Sequence, residues 1–130
     1  MSVSQSLYTV LNSYNGLKSL IGEGSPVTCR LYHYVMPQNV TLPAVVYQDI
    51  TSDRMNTIAD SGGNGVERYT FQITAWDLTL SSVDAIMTQV LSAMQAATAF
   101  ESVPYSIRGF FEVETKLYSM QRDFSIWYHF

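Results

Sequence analysis

The stretch RYTFQITAW, residues 68–76, alternates between two kinds of side chain and predicts a β-strand. One side of the extended chain is apolar or aromatic and is expected to face a core; it carries Tyr69, Phe71, Ile73 and Ala75. The other side is polar, almost uncharged and ends in a tryptophan; it carries Arg68, Thr70, Gln72, Thr74 and Trp76. Such a face is neither an apolar core nor an ordinary charged surface. Identifying what it contacts would therefore help to identify the function.

The spacing of apolar residues before and after this strand in the sequence predicts further helices and strands, which together form a single α+β domain spanning residues 1–130. The predicted order is α-β-β-β-α-β-β, with a mainly antiparallel sheet of about four to five strands packed by two helices. Ser81 or Ser82 is available to cap the second helix, and Asn15-Gly16 is expected to kink or break the first. The helices are predicted at 4–21 and 82–99, and the strands at 28–35, 44–50, 66–76, 106–114 and 117–129.

Composition argues against several classes of function. With seven Lys and Arg residues and a net charge of −4, the chain has no basic stripe for tight nucleic-acid binding. No stretch approaches the roughly 18 to 20 apolar residues of a membrane span, and the N-terminus has no signal-peptide pattern. The single cysteine, Cys29, is expected to be a small buried apolar residue, so folding needs no oxidising compartment.

The residues that most often carry chemistry are scattered. His33 and His129 have no neighbouring metal-ligand spacing, and no local motif supports a catalytic pair with Cys29. Glu112 and Glu114 are predicted to share one face of an exposed strand, where carboxylates are usually solvated. The glycine-rich SGGNG, residues 61–65, lacks the lysine of a phosphate-binding loop. We therefore expect no catalytic residue, metal or cofactor, and no enzymatic activity.

The second predicted helix has one charged residue, Asp84, although exposed helices normally carry several. Two interpretations remain open: its outer side is merely polar, or it contacts neighbouring subunits together with the polar face of 68–76. Trp76 and Trp127 likewise either cover a sheet edge or anchor an interface. Along the last strand, Phe124, Ile126 and Tyr128 are expected to face the core and Trp127 the opposite side. The candidate interface residues are Gln72, Thr74, Trp76, Gln89, Ser92, Gln95 and Trp127.

The order of landmarks resembles the tail-completion, or tail-terminator, family of long-tailed bacteriophages. A short N-terminal helix is followed by LPAVVYQDI (residues 42–50), a loop and then RYTFQITAWD (68–77). The helix SVDAIMTQVLSAM (82–94) and the closing ETKLYSMQRDFSIWY (114–128) complete the resemblance, which runs from about Leu7 to Tyr128.

The resemblance implies a structural virion protein, assembled in the host cytoplasm, that forms a homo-oligomeric and usually six-fold ring. In this family the ring caps the head-proximal end of the tail tube, ends tube polymerisation and offers a docking surface to the head–tail connector. Genomic DNA passes through its hole without sequence-specific binding, and neither cofactor nor membrane is implied.

Residues 52–65 are predicted to form a long flexible loop, which becomes a candidate axial contact in such a ring. Its candidate contact residues are Arg54, Met55, Ile58 and Asp60. The alternatives are another phage connector or tail-tube protein, and a small monomeric enzyme or ligand-binding module.

Overall fold

The structure, a computed structural model, describes residues 3–37, 41–55 and 66–129. Its helices are α1 (Val3–Ser13), α2 (Asn15–Ile21) and α3 (Leu80–Ala96). Its strands are β1 (Gly22–Glu23), β2 (Thr28–Cys29), β3 (Leu31–His33), β4 (Ala44–Met55), β5 (Val66–Asp77), β6 (Glu101–Glu112) and β7 (Leu117–His129).

The strands form two sheets, a small antiparallel pair of β1 with β2 and a larger sheet in the order β3-β4-β5-β7-β6. Only the β3–β4 pair of the larger sheet is parallel, while β4–β5, β5–β7 and β7–β6 are antiparallel. The predicted α+β class with a mainly antiparallel sheet is therefore confirmed.

The core lies between the larger sheet and the helices. Phe71, Ile73 and Ala75 of β5 are fully buried, as the alternation predicts, and Phe71 pairs in register with the fully buried Phe124 of β7. Helix α3 covers this side of the sheet with its buried apolar stripe, and α1 and α2 join the same core. We call this the helix side of the sheet, and the opposite side the outer face.

The helices differ from prediction at their ends. The first predicted helix is divided into α1 and α2 at Tyr14, whose extended backbone lies one residue before the expected break. Helix α3 begins at Leu80, because Thr79 is its N-cap and accepts a hydrogen bond from Ser82 N through Oγ1 at 3.3 Å. The prediction of Ser81 or Ser82 as the cap was therefore wrong.

Three strand boundaries also differ from prediction. The predicted strand at 28–35 is divided at Arg30, whose Nε donates to the Pro43 carbonyl at 2.7 Å. Strand β4 continues to Met55, which pairs with Val66 of β5, so residues 52–55 form strand and not loop. Strand β6 begins at Glu101, so the turn predicted around Ser102–Pro104 is replaced by a register shift between Pro104 and Ile107.

Candidate interaction surfaces

The polar side of β5 lies on the outer face and is linked to its neighbours by side-chain hydrogen bonds. Gln48 Nε2 donates to Gln72 Oε1 at 2.7 Å, and Gln72 Nε2 donates to Asp123 Oδ1 at 3.4 Å. Arg108 Nη2 lies 3.3 Å from Asp123 and 3.2 Å from Gln121 Oε1. This network crosses β4, β5, β7 and β6, so Gln72 at the centre of the polar face is already hydrogen-bonded within the subunit.

Two tryptophans lie at opposite ends of this outer-face network. Trp127 pairs in register with Arg68, whose guanidinium carbon lies 5.9 Å from the centre of the indole ring. Trp76 lies at the other end. It pairs in register with the buried Ser119 of β7, which in turn pairs with the exposed Phe110 of β6. A shallow hollow of about 420 Å³ opens there, lined by Thr74, Trp76, Phe110, Phe111, Glu112, Ser119 and Gln121.

The candidate residues on α3 lie on the other side of the sheet. Gln89 is half-buried, and its Oε1 occupies the place where a side chain at Gly16 would begin, so it packs against α2 of its own chain. Ser92 is half-buried and donates to the Thr88 carbonyl at 3.1 Å, whereas Gln95 is exposed. The structure therefore brings Gln72, Thr74, Trp76 and Trp127 onto one face and separates them from the helix candidates.

Two of the four candidate axial residues lie in a strand, and the other two lie outside the described residues. Arg54 and Met55 are the last residues of β4 and pair in register with Glu67 and Val66. Ile58 and Asp60 lie outside the described residues, as does the glycine-rich segment 61–65.

A cluster of aromatic and titratable groups lies where β3 ends beside β4. The ring of His33 stacks on Tyr34 and Tyr47, with centroid distances of 4.2 and 4.7 Å, and its Nε2 lies 3.0 Å from Asp49 Oδ1. The Tyr34 hydroxyl donates to the same Asp49 oxygen at 2.6 Å. Partial burial raises the pKa of Asp49, but the hydrogen bonds from Tyr34 and His33 outweigh it, so the net pKa is lowered.

The remaining candidates for chemistry are isolated in the structure. Cys29 is buried, as predicted, and burial raises the pKa of its thiol, which disfavours the reactive thiolate. Glu112 ends β6 while Glu114 lies in the following turn, so the prediction that they share a strand face was wrong. Within the described residues, no group of three or more His, Cys, Asp or Glu side chains is placed to hold a metal ion. None of the described helices has the length and apolar content that a membrane crossing requires.

The exposed apolar edge formed by β6 was not recognised in the sequence. Strand β6 lies at the end of the sheet order and pairs with β7 alone among the described strands. Its exposed large apolar residues, with those of the following turn, are Val103, Tyr105, Ile107, Phe110, Phe111 and Val113. The sequence signal is the run of apolar residues at both odd and even positions, which predicts burial on both faces. Edge position became visible only with the strand order.

The fold defines a small α+β domain whose larger, mainly antiparallel sheet is covered by helices on one side. Over almost its whole length the chain resembles a chain in the solved structure of the virion of a native gene transfer agent (GTA) particle. The TM-score is 0.70 at 14% sequence identity, and the match covers 99% of this chain and 96% of that chain. At this identity the likeness concerns the fold. None of the curated proteins compared with the chain matches it.

The family follows from the sequence match. The model of the family described as "Tail completion protein gp17" matches residues 5–129. The chain belongs to this family of tail completion proteins, and its place is therefore in the phage virion, as a structural component of the tail.

Proposed function

We propose that six copies of this chain form a ring at the head-proximal end of the phage tail tube. The ring ends tube polymerisation and joins the tail to the head–tail connector, so its partners are further copies of itself, the tube protein and the connector protein. The observation that carries this proposal is the match of the tail completion family over residues 5–129. No catalytic step, metal or cofactor enters it.

The uncharged surfaces support an assembly role. Protein interfaces are poor in Lys, Glu and Asp and rich in aromatic residues, and both tryptophans of the outer face are half-buried in the isolated subunit. The candidate interface residues belong to two separate surfaces, one on the outer face and one on α3. A subunit that meets further copies, the tube protein and the connector protein needs several contact surfaces, and these two are candidates for them.

Passage of DNA through the ring is consistent with the charge of the chain. A subunit with a net charge of −4 repels a polyanion overall, so DNA slides past without being held. We assign the axial contact to the hairpin that connects β4 with β5. Arg54 and Met55 contribute from the strand end, and Ile58 and Asp60 from the connecting residues.

The test is a phage in which the gene for this chain is deleted. We expect filled heads without tails together with tubes of uncontrolled length, both seen by electron microscopy, and restoration by the unaltered gene supplied in trans. Tubes of normal length joined to heads in the deletion phage would overturn the proposal.

Labelling separates the ring from its alternatives. A gold-labelled tag on the chain should mark a single position in each particle, at the head-proximal end of completed tails. Label along the whole tube would identify a tube protein, and label on tailless heads a connector. A stable monomer that is absent from particles would favour a small enzyme or binding module.

A further inference from the structure

Both edges of the larger sheet have backbone that pairs with no other described strand. At one edge this is the outer side of β6, and at the other it is the part of β4 that β3 does not cover. The first half of β6 carries Pro104, and a register shift between Pro104 and Ile107 interrupts its pairing with β7. Its second half, Ile107–Glu112, pairs without interruption with Arg122–Leu117 of β7. Prolines and bulges are the usual devices that keep an edge strand from pairing with another chain. The regular half of β6 has neither.

The regular half also exposes apolar side chains on both sides of the sheet, beside the charged Arg108 and Glu112. Ile107, Phe110 and Phe111 are 51%, 54% and 49% exposed, and in the strand register Phe110 belongs to the outer face and Phe111 to the helix side. Phe111 contacts Tyr118 of β7 at a centroid distance of 4.7 Å, and no described element lies beyond it. A straight edge that exposes aromatic side chains is the pattern of a strand that pairs with another chain.

At the opposite edge, β3 covers only the beginning of β4. It pairs with Val45–Tyr47 and ends at His33, after which Tyr34 adopts a φ of 69° and turns the chain away. Such a conformation is unfavourable for a residue with a side chain. Here two hydrogen bonds hold it: the Tyr34 hydroxyl donates to Asp49, and the Tyr34 amide donates to the Tyr47 carbonyl. Among the described strands, none pairs with this edge of β4 from Ile50 to Met55.

The two open stretches are compatible in direction. Ile50–Met55 starts at the bulged residue Ile50 and then pairs regularly with β5, and Ile107–Glu112 follows the register shift of β6. Because every pairing from β4 through β5 and β7 to β6 is antiparallel, β4 and β6 run in opposite directions. A second copy that continues the sheet in the same orientation therefore presents its β4 to β6 as an antiparallel neighbour. In the strand register Phe110 lies level with Ala44 and Val103 with Thr51, so pairing the two open stretches also displaces the second copy along the strand direction. Two unlike, complementary edges on one subunit are what a head-to-tail ring requires.

We infer that Ile107–Glu112 of one copy pairs with Ile50–Met55 of the next copy, so that one sheet continues around the ring. The inference rests on the proposed ring and names its subunit contact. It assigns the contact to backbone hydrogen bonds along two strand edges, with Phe110, Phe111 and Ile50 covered by the neighbouring subunit.

Cross-linking tests the pairing directly. Cysteines are introduced as Ile50→Cys and Phe110→Cys, at side chains 48% and 54% exposed, and joined by a short thiol-reactive bifunctional reagent. With the ends of the two stretches aligned, these positions are diagonal neighbours two residues out of register, within reach of such a reagent. The native Cys29 is buried and does not compete. The double variant should give a ladder ending at the closed ring, and a mixture of the single variants should give dimers. Thr98→Cys, an exposed position after α3, is the control for random collision.

A pair of lysine substitutions provides the matched control for assembly. Phe110 and Val103 are both 54% exposed and both lie on the outer face of β6, on opposite sides of its register shift. Phe110→Lys should abolish the ring, because it places a charge in the paired edge, whereas Val103→Lys should leave the ring intact. Thermal melting of both variants verifies that the subunit still folds.

The outcomes separate this inference from the proposed function. Dimers from Phe110→Cys alone, as abundant as those from the mixture, would show a two-fold contact of β6 with itself and overturn the inference. A ring of normal mass that gives no Ile50–Phe110 cross-link, either free or in assembled tails, would also overturn it and leave the proposed function standing. Absence of any ring, in solution and in assembled particles, would overturn both.

Discussion

At the residue scale, β7 shows how neighbouring aromatic residues take different roles. Phe124 is fully buried on the helix side and pairs in register with Phe71. Trp127 lies on the outer face, half-buried, with Arg68 over its ring. The prediction that Phe124 and Ile126 face the core and that Trp127 faces away is confirmed, and Tyr128, half-buried, packs against the same core. The side chains on the helix side of β7 thus stabilise the fold, and those on its outer face are available for the assembly that we propose.

Replacing each aromatic residue with alanine should separate these roles. Phe124→Ala should lower the free energy of unfolding by about 3–5 kcal/mol, because it leaves a cavity in the core. Trp127→Ala should cost markedly less stability and, if the outer face is an interface, should reduce the number of completed tails more strongly than its stability loss explains. A thermal melt of each variant and a count of completed tails by electron microscopy check both parts. Equal stability losses would contradict the assignment of Trp127 to an assembly surface.

At the scale of secondary structure, α3 combines a complete core stripe with an almost uncharged outer side. Its buried residues are Val83, Ile86, Met87, Val90, Ala93 and Met94, and Asp84 is its only charged residue. The outer side is not equally available for contacts, because Gln89 already packs against α2 at Gly16. Gln95 is exposed and Ser92 half-buried, so these two positions best test whether α3 contacts another subunit.

Charging this side of α3 should block assembly without harming the fold. The pair Ser92→Glu with Gln95→Lys places opposite charges three residues apart, which favours the helix by about 0.2–0.5 kcal/mol. We expect an unchanged or slightly raised melting temperature and a loss of ring formation or of tail joining. The control pair Ser92→Ala with Gln95→Ala removes the same side chains without adding charge and should assemble normally. Normal tails from the charged pair would show that this side of α3 is not an interface.

At the scale of the whole molecule, one sheet with helices on a single side leaves an outer face, two open edges and the ends of its hairpins. The β4–β5 hairpin stays paired as far as Met55 and Val66, where the two strands are already adjacent. Residues 56–65 therefore are not needed to span a gap between the strands. A long connection that the fold does not require is often functional.

Shortening the connection 56–65 should leave folding intact and abolish attachment to other tail components. Replacement of residues 56–65 by Asn-Gly, which favours a two-residue hairpin turn, should leave the melting temperature within a few degrees of the parent. It should abolish attachment to the tube or the connector, as scored by sedimentation with purified tails and heads. A second variant that keeps the length but replaces 56–65 with Gly and Ser distinguishes specific contact from spacing. If both variants complete tails normally, the connection is not an axial contact.

The sequence by itself determined the features that depend on neighbours along the chain. The alternation in RYTFQITAW assigned Phe71, Ile73 and Ala75 to the core, and the helical period placed Val83, Ile86 and Val90 there, as the structure confirms. These predictions succeeded because the side a residue faces follows from the strand or helix period alone. The ordered landmarks also indicated the tail completion family, which the match over residues 5–129 confirms.

Only the tertiary structure decided which strands lie at the edges and how the outer face is satisfied. Pairing with β5 extends β4 to Met55, although its last residues read as loop, since the hydrogen bonds come from a strand distant in sequence. The network from Gln48 to Arg108 and the exposed edge of β6 likewise depend on the order β3-β4-β5-β7-β6. Periodicity encodes the faces of a strand, whereas its neighbours are chosen by packing and register over the whole sheet.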